Sequence, residues 1–142
     1  MSIAVGYLLD TNLISETRKI RADVGVMAFL AAADAAGLFL SVLTLGELRK
    51  GVQAKRRTDS VTAARLGPWV DGIETTFADR VLLVDAAVAR LWGELSAGRI
   101  LPVIDALIAA TAITRGLTLV TRNTRDVAGT GVPFVDPWQG AP

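Results

Sequence analysis

The chain has 142 residues, 51% hydrophobic and 20% charged, with a net charge of +1; this predicts one folded domain over 1–142 and argues against disorder. Neither histidine nor cysteine occurs, which excludes His/Cys zinc sites, disulfides, thiol nucleophiles and any imidazole acid or base. A pI near 8.2 is too balanced to announce a nucleic-acid binder from bulk charge, and leaves only local basic patches to consider.

No basic segment followed by an apolar stretch and a small-residue cleavage site opens the chain, so no secretory signal is expected. Ile3 to Leu9 is an apolar run of strand length. "DVGVMAFLAAADAAG" predicts a helix stopping at Gly37; the apolar stretch around it carries Asp34 and two glycines and is unsuited to crossing a membrane. A cytoplasmic protein is the expectation. "LFLS" reads as a second strand and "TLGELRKGVQAKRR" as a helix entering from Thr44. Thr58 to Asp79 reads as helix interrupted near Gly67-Pro68, because proline disfavours helical geometry in the residue before it. "VLLV" (Val81 to Val84) is a third strand, followed by a helix opened by Asp85; "IDALIAATAITRG" is a helix ending at Gly116. "LTLVT" is a fourth strand and "PFVD" a short fifth. Strands alternating with helices predict an α/β fold with a mainly parallel central sheet, whose ligands bind outside the carboxyl ends of the strands.

Four carboxylates are candidates for that edge. Asp10 ends the first strand, Glu47 lies just inside the helix after the second, and Asp126 follows the fourth. Asp105 opens a helix whose N-terminus can face the same edge or the opposite one. Each has a structural explanation too: Asp10 and Asp105 as helix N-caps, Glu47 as the partner of Thr44 in a capping box, Asp126 as a turn residue. Together they mean more. Two carboxylates about 4 Å apart repel by roughly 4 kcal/mol at an effective dielectric near 20, so a cluster must take up protons or bind a cation. An oxygen-only set without histidine suits Mg²⁺ or Mn²⁺, and such an ion supports hydrolysis of phosphodiesters.

"LLDTNLISE", "SVLTLGELRKG", "IDALIAATA" and "TRNTRD", with a terminal "DPW", occur in order across nearly the whole chain. In this it resembles the PIN-domain ribonucleases, above all the toxins of VapBC-type toxin–antitoxin pairs, including the FitB-like branch. The resemblance implies a three-layer α/β/α fold with four to five strands. It also implies a Mg²⁺- or Mn²⁺-dependent endoribonuclease acting on RNA, usually a homodimer, inhibited by a small DNA-binding antitoxin. By motif, the family's acidic positions fall on Asp10, Glu47, Asp105 and Asp126, with Asn123 as a polar position near the metal and Asn12 beside Asp10. Val127 stands where the family often has an aromatic residue. Asp10 and Asp105 are the expected principal ligands, with Glu47 as a ligand or general base.

Arg49, Arg122 and Arg125 neighbour the acidic motifs and are candidates for tracking RNA phosphates. Trp69, Trp92 and Trp138 read as core or interface residues. Two other readings compete. An aspartyl-phosphate phosphatase or receiver-like domain also ends its first strand in aspartate, but such phosphatases usually carry a second aspartate where this chain has Asn12, and receivers need paired acids where it offers only Asp10. A catalytically inactive PIN-like module, binding antitoxin or RNA, is the non-enzymatic alternative, and four intact carboxylates count against it.

Overall fold

A computed structural model describes residues 5–139. Five parallel strands form one sheet in the order β3-β2-β1-β4-β5: β1 (Tyr7–Leu9), β2 (Leu38–Ser41), β3 (Val81–Leu82), β4 (Thr118–Val120) and β5 (Phe134–Val135). Tyr7 stands opposite Leu38 on one side and Thr118 on the other. The chain moves outward from β1 through β2 to β3, then crosses back to β4 on β1's other side. The reversal lies between β1 and β4, and a crevice opens at the carboxyl ends of strands at such a point.

Alternation along the strands divides the core into two layers. Leu9, Leu38, Leu40 and Val120 face one side and pack against α1 (Thr11–Glu16), α2 (Val24–Ala32), α3 (Val42–Thr58) and α4 (Ser60–Thr76) through Leu13, Val26, Leu48, Val52 and Val70. Leu8 and Leu119 face the other side and meet Ile108, Ala109 and Ala112 of α6 (Val103–Arg115). Outside α6 lies α5 (Ala86–Ser96), N-capped by Asp85, which accepts a hydrogen bond from the Val88 N–H. The result is the expected α/β arrangement, with every strand pair parallel. Among the described residues no helix is long and apolar enough to cross a membrane.

Several boundaries differ from expectation for identifiable reasons. The helix expected from Thr44 begins at Val42, because the Ser41 hydroxyl accepts from the Leu43 N–H and caps it. β3 stops at Leu82, since its partner β2 ends where α3 begins; Leu83 and Val84 are exposed. The α2 segment ends at Ala32, and the expected stop at Gly37 closes a separate 3-10 turn capped by Asp34.

The break expected at Gly67-Pro68 does not occur: α4 runs unbroken from Ser60 to Thr76. Gly67 has no Cβ to clash with the proline ring, and it is buried against Val52 of α3. Pro68 lies on the exposed face, so the carbonyl it leaves unpaired turns to water. Packing of α4 on α3 outweighs the local preference.

Near its N-terminus, α2 meets the 3-10 turn Pro137–Gln139, and a Cβ on Gly25 would overlap the Pro137 carbonyl oxygen. Backbone cannot yield as a flexible side chain does. Gly25→Ala is therefore expected to destabilise the protein by about 1–3 kcal/mol, read as a lower urea midpoint with an unchanged slope; an unchanged midpoint would show that this contact relaxes freely.

Candidate active site

Asp10 is the residue immediately beyond β1, and it is 4% exposed. Its backbone N–H donates to the Val120 carbonyl at 2.9 Å, continuing the ladder onto β4. One carboxylate oxygen accepts from the Thr11 N–H at 2.8 Å, so Asp10 does cap α1. The other accepts from the Thr121 hydroxyl at 2.6 Å, and the Asn12 amide lies 3.4 Å from it. The capping and site explanations are compatible here, because each uses a different oxygen.

The network extends both ways along the sheet edge. On the β2 side, Thr11 Oγ1 donates to Glu47 Oε1 at 2.5 Å, and the Thr44 hydroxyl lies 3.0 Å from the same Thr11 oxygen. Glu47 is thus tied to α1 and not engaged in a capping box, since Ser41 already caps α3. On the β4 side, the Asn123 N–H donates to Thr121 Oγ1 at 3.0 Å, and the Arg122 N–H reaches Asn12 Oδ1 at 3.4 Å. Asp126 sits in the short helix α7 (Thr124–Val127), half-buried. Val127, the residue after it, is 2% exposed and packs with Leu119 and Val132, filling the core position that follows the last acid.

Asp105 answers the question of which edge α6 faces. Pro102 occupies the N-cap of α6 without a side-chain hydrogen bond, and Asp105 lies in its first turn, so it is not the cap. Its carboxyl is pushed up to about 6, first by burial, then by the charges of Asp10, Asp126 and Glu47; Asn123 beside it pulls the other way. All four carboxylates therefore share the carboxyl edge of the sheet. Asp10 is also held above its ordinary range, chiefly by burial, with the Thr121 and Thr11 hydrogen bonds opposing and Glu47 adding repulsion. Among the described residues, none of the four forms an ion pair with lysine or arginine.

The arginines divide. Arg49 does not reach this edge: two residues beyond Glu47 it lies about 200° around the helix, where it pairs with Asp71 at 2.5 Å and Glu74 at 2.9 Å on α4. Those pairs raise its pKa further. Arg125 is exposed on α7. Arg122 follows Thr121 directly, and its guanidinium lies over the Trp138 ring, 5.4 Å from the centroid. Thr11 and Thr121 are not singled out by the sequence, and Thr44 is read there only as a helix-capping residue, although "DTN", "TLGE" and "VTRN" contain them. For Thr121 alone, a hydroxyl directly after a strand and next to an acidic motif is an available signal.

The donor set fits a hard cation: oxygen ligands only, with excess negative charge at a sheet edge. Among the described residues no three acidic side chains are gathered tightly enough to hold an ion unaided. An ion of the Mg²⁺ type binds through as few as one or two carboxylates with several waters, and so needs no such group.

The raised Asp105 has a pH consequence. Ionising it costs more in the folded chain than in the unfolded one, where its ordinary value is 3.8. Without metal, the protein loses stability as pH rises from about 4 to about 6, and stays at the lower level above that. For a half-exposed group the effect, discounted for solvent screening, is about 1 kcal/mol. Asp105→Asn should then melt about 2–4 °C higher than the natural chain at pH 7.5 in chelator, with the gap closing below pH 4. A gap independent of pH would contradict the charge origin.

The fold and these positions can be set beside known proteins. The model of the PIN domain family matches residues 7–129. A VapC ribonuclease from Sinorhizobium fredii is 36% identical, with the match covering 94% of this chain and 99% of that protein. The structure of FitAcB from Neisseria gonorrhoeae superposes with a TM-score of 0.85 at 31% identity, covering 93% of this chain and 98% of that one. A toxin–antitoxin complex from Klebsiella pneumoniae gives a TM-score of 0.66 at 28% identity, covering 93% and 98%. The chain belongs to the PIN-domain family.

Proposed function

We propose that the protein is a Mg²⁺- or Mn²⁺-dependent endoribonuclease, the toxin of a VapBC-type pair, acting in the cytoplasm. The observation that carries this reading is the convergence of Asp10, Glu47, Asp105 and Asp126 on one sheet edge without a compensating cation. The similarity to a protein named as a VapC ribonuclease supports the activity. The likeness to a solved toxin–antitoxin complex supports an antitoxin as partner; a homodimer is the assembly this reading expects.

Asp10 and Asp105 would hold the ion, directly or through water, with Asp126 at the rim. When bound, the ion offsets the charge of a scissile phosphate and lowers the pKa of water. Glu47, fixed by Thr11, is placed to take the proton from the attacking water. Thr121 and Thr11 hold the Asp10 oxygens in place, so that little reorganisation accompanies substrate binding. Asn12 and Asn123 donate amide protons across the same edge. Water attack at phosphorus leaves a 5′-phosphate and a 3′-hydroxyl.

Antitoxin-free protein incubated with RNA should cleave in Mg²⁺ or Mn²⁺ and stop in chelator, and Asp10→Asn should lose at least about 100-fold in rate. Cleavage that survives chelation, or a 2′,3′-cyclic phosphate on the products, would remove the metal-and-water mechanism. RNA binding unchanged by chelator, with no cleavage in any metal, would favour the inactive binding module.

A further inference from the structure

Arg122 stands next to the carboxylates and yet pairs with none of them among the described residues. An arginine beside excess negative charge ordinarily folds onto it. Here the guanidinium rests over the Trp138 ring at 5.4 Å, while its backbone N–H is tied to Asn12 at 3.4 Å. Trp138 is itself anchored. Its ring packs partly buried against the β1-side core, its N–H donates to Asp136 Oδ1 at 2.9 Å, and it belongs to the turn that presses on α2 at Gly25. Its indole Nε1 is buried near the Glu16 carboxylate, and the face of the ring meets Arg122.

From this geometry we infer that Trp138 is a positioning residue, which holds Arg122 clear of the carboxylates and presents its N–H groups to a phosphate of single-stranded RNA. The inference rests on the ribonuclease reading and deepens it. A guanidinium stacked on an aromatic ring keeps its in-plane donors free, in a fork that matches phosphate oxygens. The phosphate in question flanks the scissile one: Arg122 follows Thr121, whose hydroxyl bonds to Asp10, and its guanidinium rests on Trp138 in the turn that follows β5. Of the other two arginines beside acidic motifs, Arg49 is occupied by α4 and Arg125 is exposed on α7.

The test is equilibrium binding of a fluorescently labelled single-stranded RNA oligonucleotide, in chelator to prevent turnover, between 50 and 200 mM salt. Arg122→Ala should weaken binding about tenfold and flatten the plot of log affinity against log salt by about 0.7, the contribution of one phosphate contact. Trp138→Leu, which keeps apolar bulk but removes the ring, should do the same. Trp138→Phe, which restores an aromatic face, should retain the natural slope, and the Arg122→Ala/Trp138→Leu double variant should be no weaker than Arg122→Ala. Arg122→Lys guards against a folding defect in Trp138→Leu: it keeps the charge but loses the planar stack, and should bind several-fold more weakly than the natural chain. Natural affinity in Arg122→Lys, or a natural slope in a folded Trp138→Leu, would overturn the inference. Cleavage assays run in parallel separate the two readings. The expected slopes without any cleavage in metal would leave the clamp standing and remove the nuclease; cleavage with unaltered slopes, or with no RNA binding by the natural chain in chelator, would do the reverse, and neither binding in chelator nor cleavage in metal would overturn both.

Discussion

The hydrogen bond from Thr121 to Asp10, 2.6 Å long and buried, joins the ends of the two strands between which the sheet reverses direction. The backbones are joined there as well: Asp10 donates to Val120, and Thr121 donates to Val135 of β5. Three adjacent strands are thereby locked at their carboxyl ends, and Asp10 has no freedom to turn away. A buried carboxylate fixed in this manner keeps a constant position whether its neighbours are charged or neutral. The other acids are arranged around it, Glu47 through Thr11 and Asp105 through the seating of α6.

That seating depends on alanine. Ala106, Ala109, Ala110 and Ala112 are all buried, and their small side chains let α6 lie close to the sheet on one side and α5 on the other. A bulkier face would lift the helix and carry Asp105 away from Asp10. The apolar layers therefore do electrostatic work: they hold four like charges where solution chemistry would disperse them. The cost appears in the raised Asp105, through burial first and repulsion second, and folding survives it because the two cores on either face are larger in effect than the strain at one edge.

Much of this was legible in the sequence because strand ends are easily placed. A short apolar run that stops at an acid marks both the strand and the residue it delivers, as at Asp10, while Asp126 is read from the turn that follows the fourth strand. Asp105 was legible as a helix-opening acid but not as to edge, because a helix N-terminus in an α/β fold has no fixed side until the crossover is known. The Gly67-Pro68 break was misread because local preference was weighed without the α3 surface that Gly67 packs against. Arg49 was misplaced for a related reason. Nearness in sequence to Glu47 says little when two residues turn a helix through more than half a circle, and Asp71 and Glu74 belong to an element that sequence alone does not dock. The threonines are hard to read as site residues, since their side-chain contacts to the acids and to one another span 33 to 111 residues.

The arginines complete the electrostatic argument. A chain with more basic than acidic residues could neutralise its own acidic edge, and any such pair would compete with a ligand for the carboxylates. Four of its arginines are committed elsewhere: Arg49 to α4, Arg115 to Asp85, Arg80 to Asp79 and the Leu38 carbonyl, and Arg122 to the face of Trp138. The last is the most telling, because an aromatic ring attracts the guanidinium without discharging it. The edge is left with uncompensated negative charge at its centre and an undischarged cation at its side. A bare anion is repelled at the centre of such a surface and drawn only to its side, and a bare cation is held at the centre. A cation and a phosphate arriving together meet complementary charge at both positions, which is the pairing that metal-assisted cleavage of a nucleic-acid backbone requires.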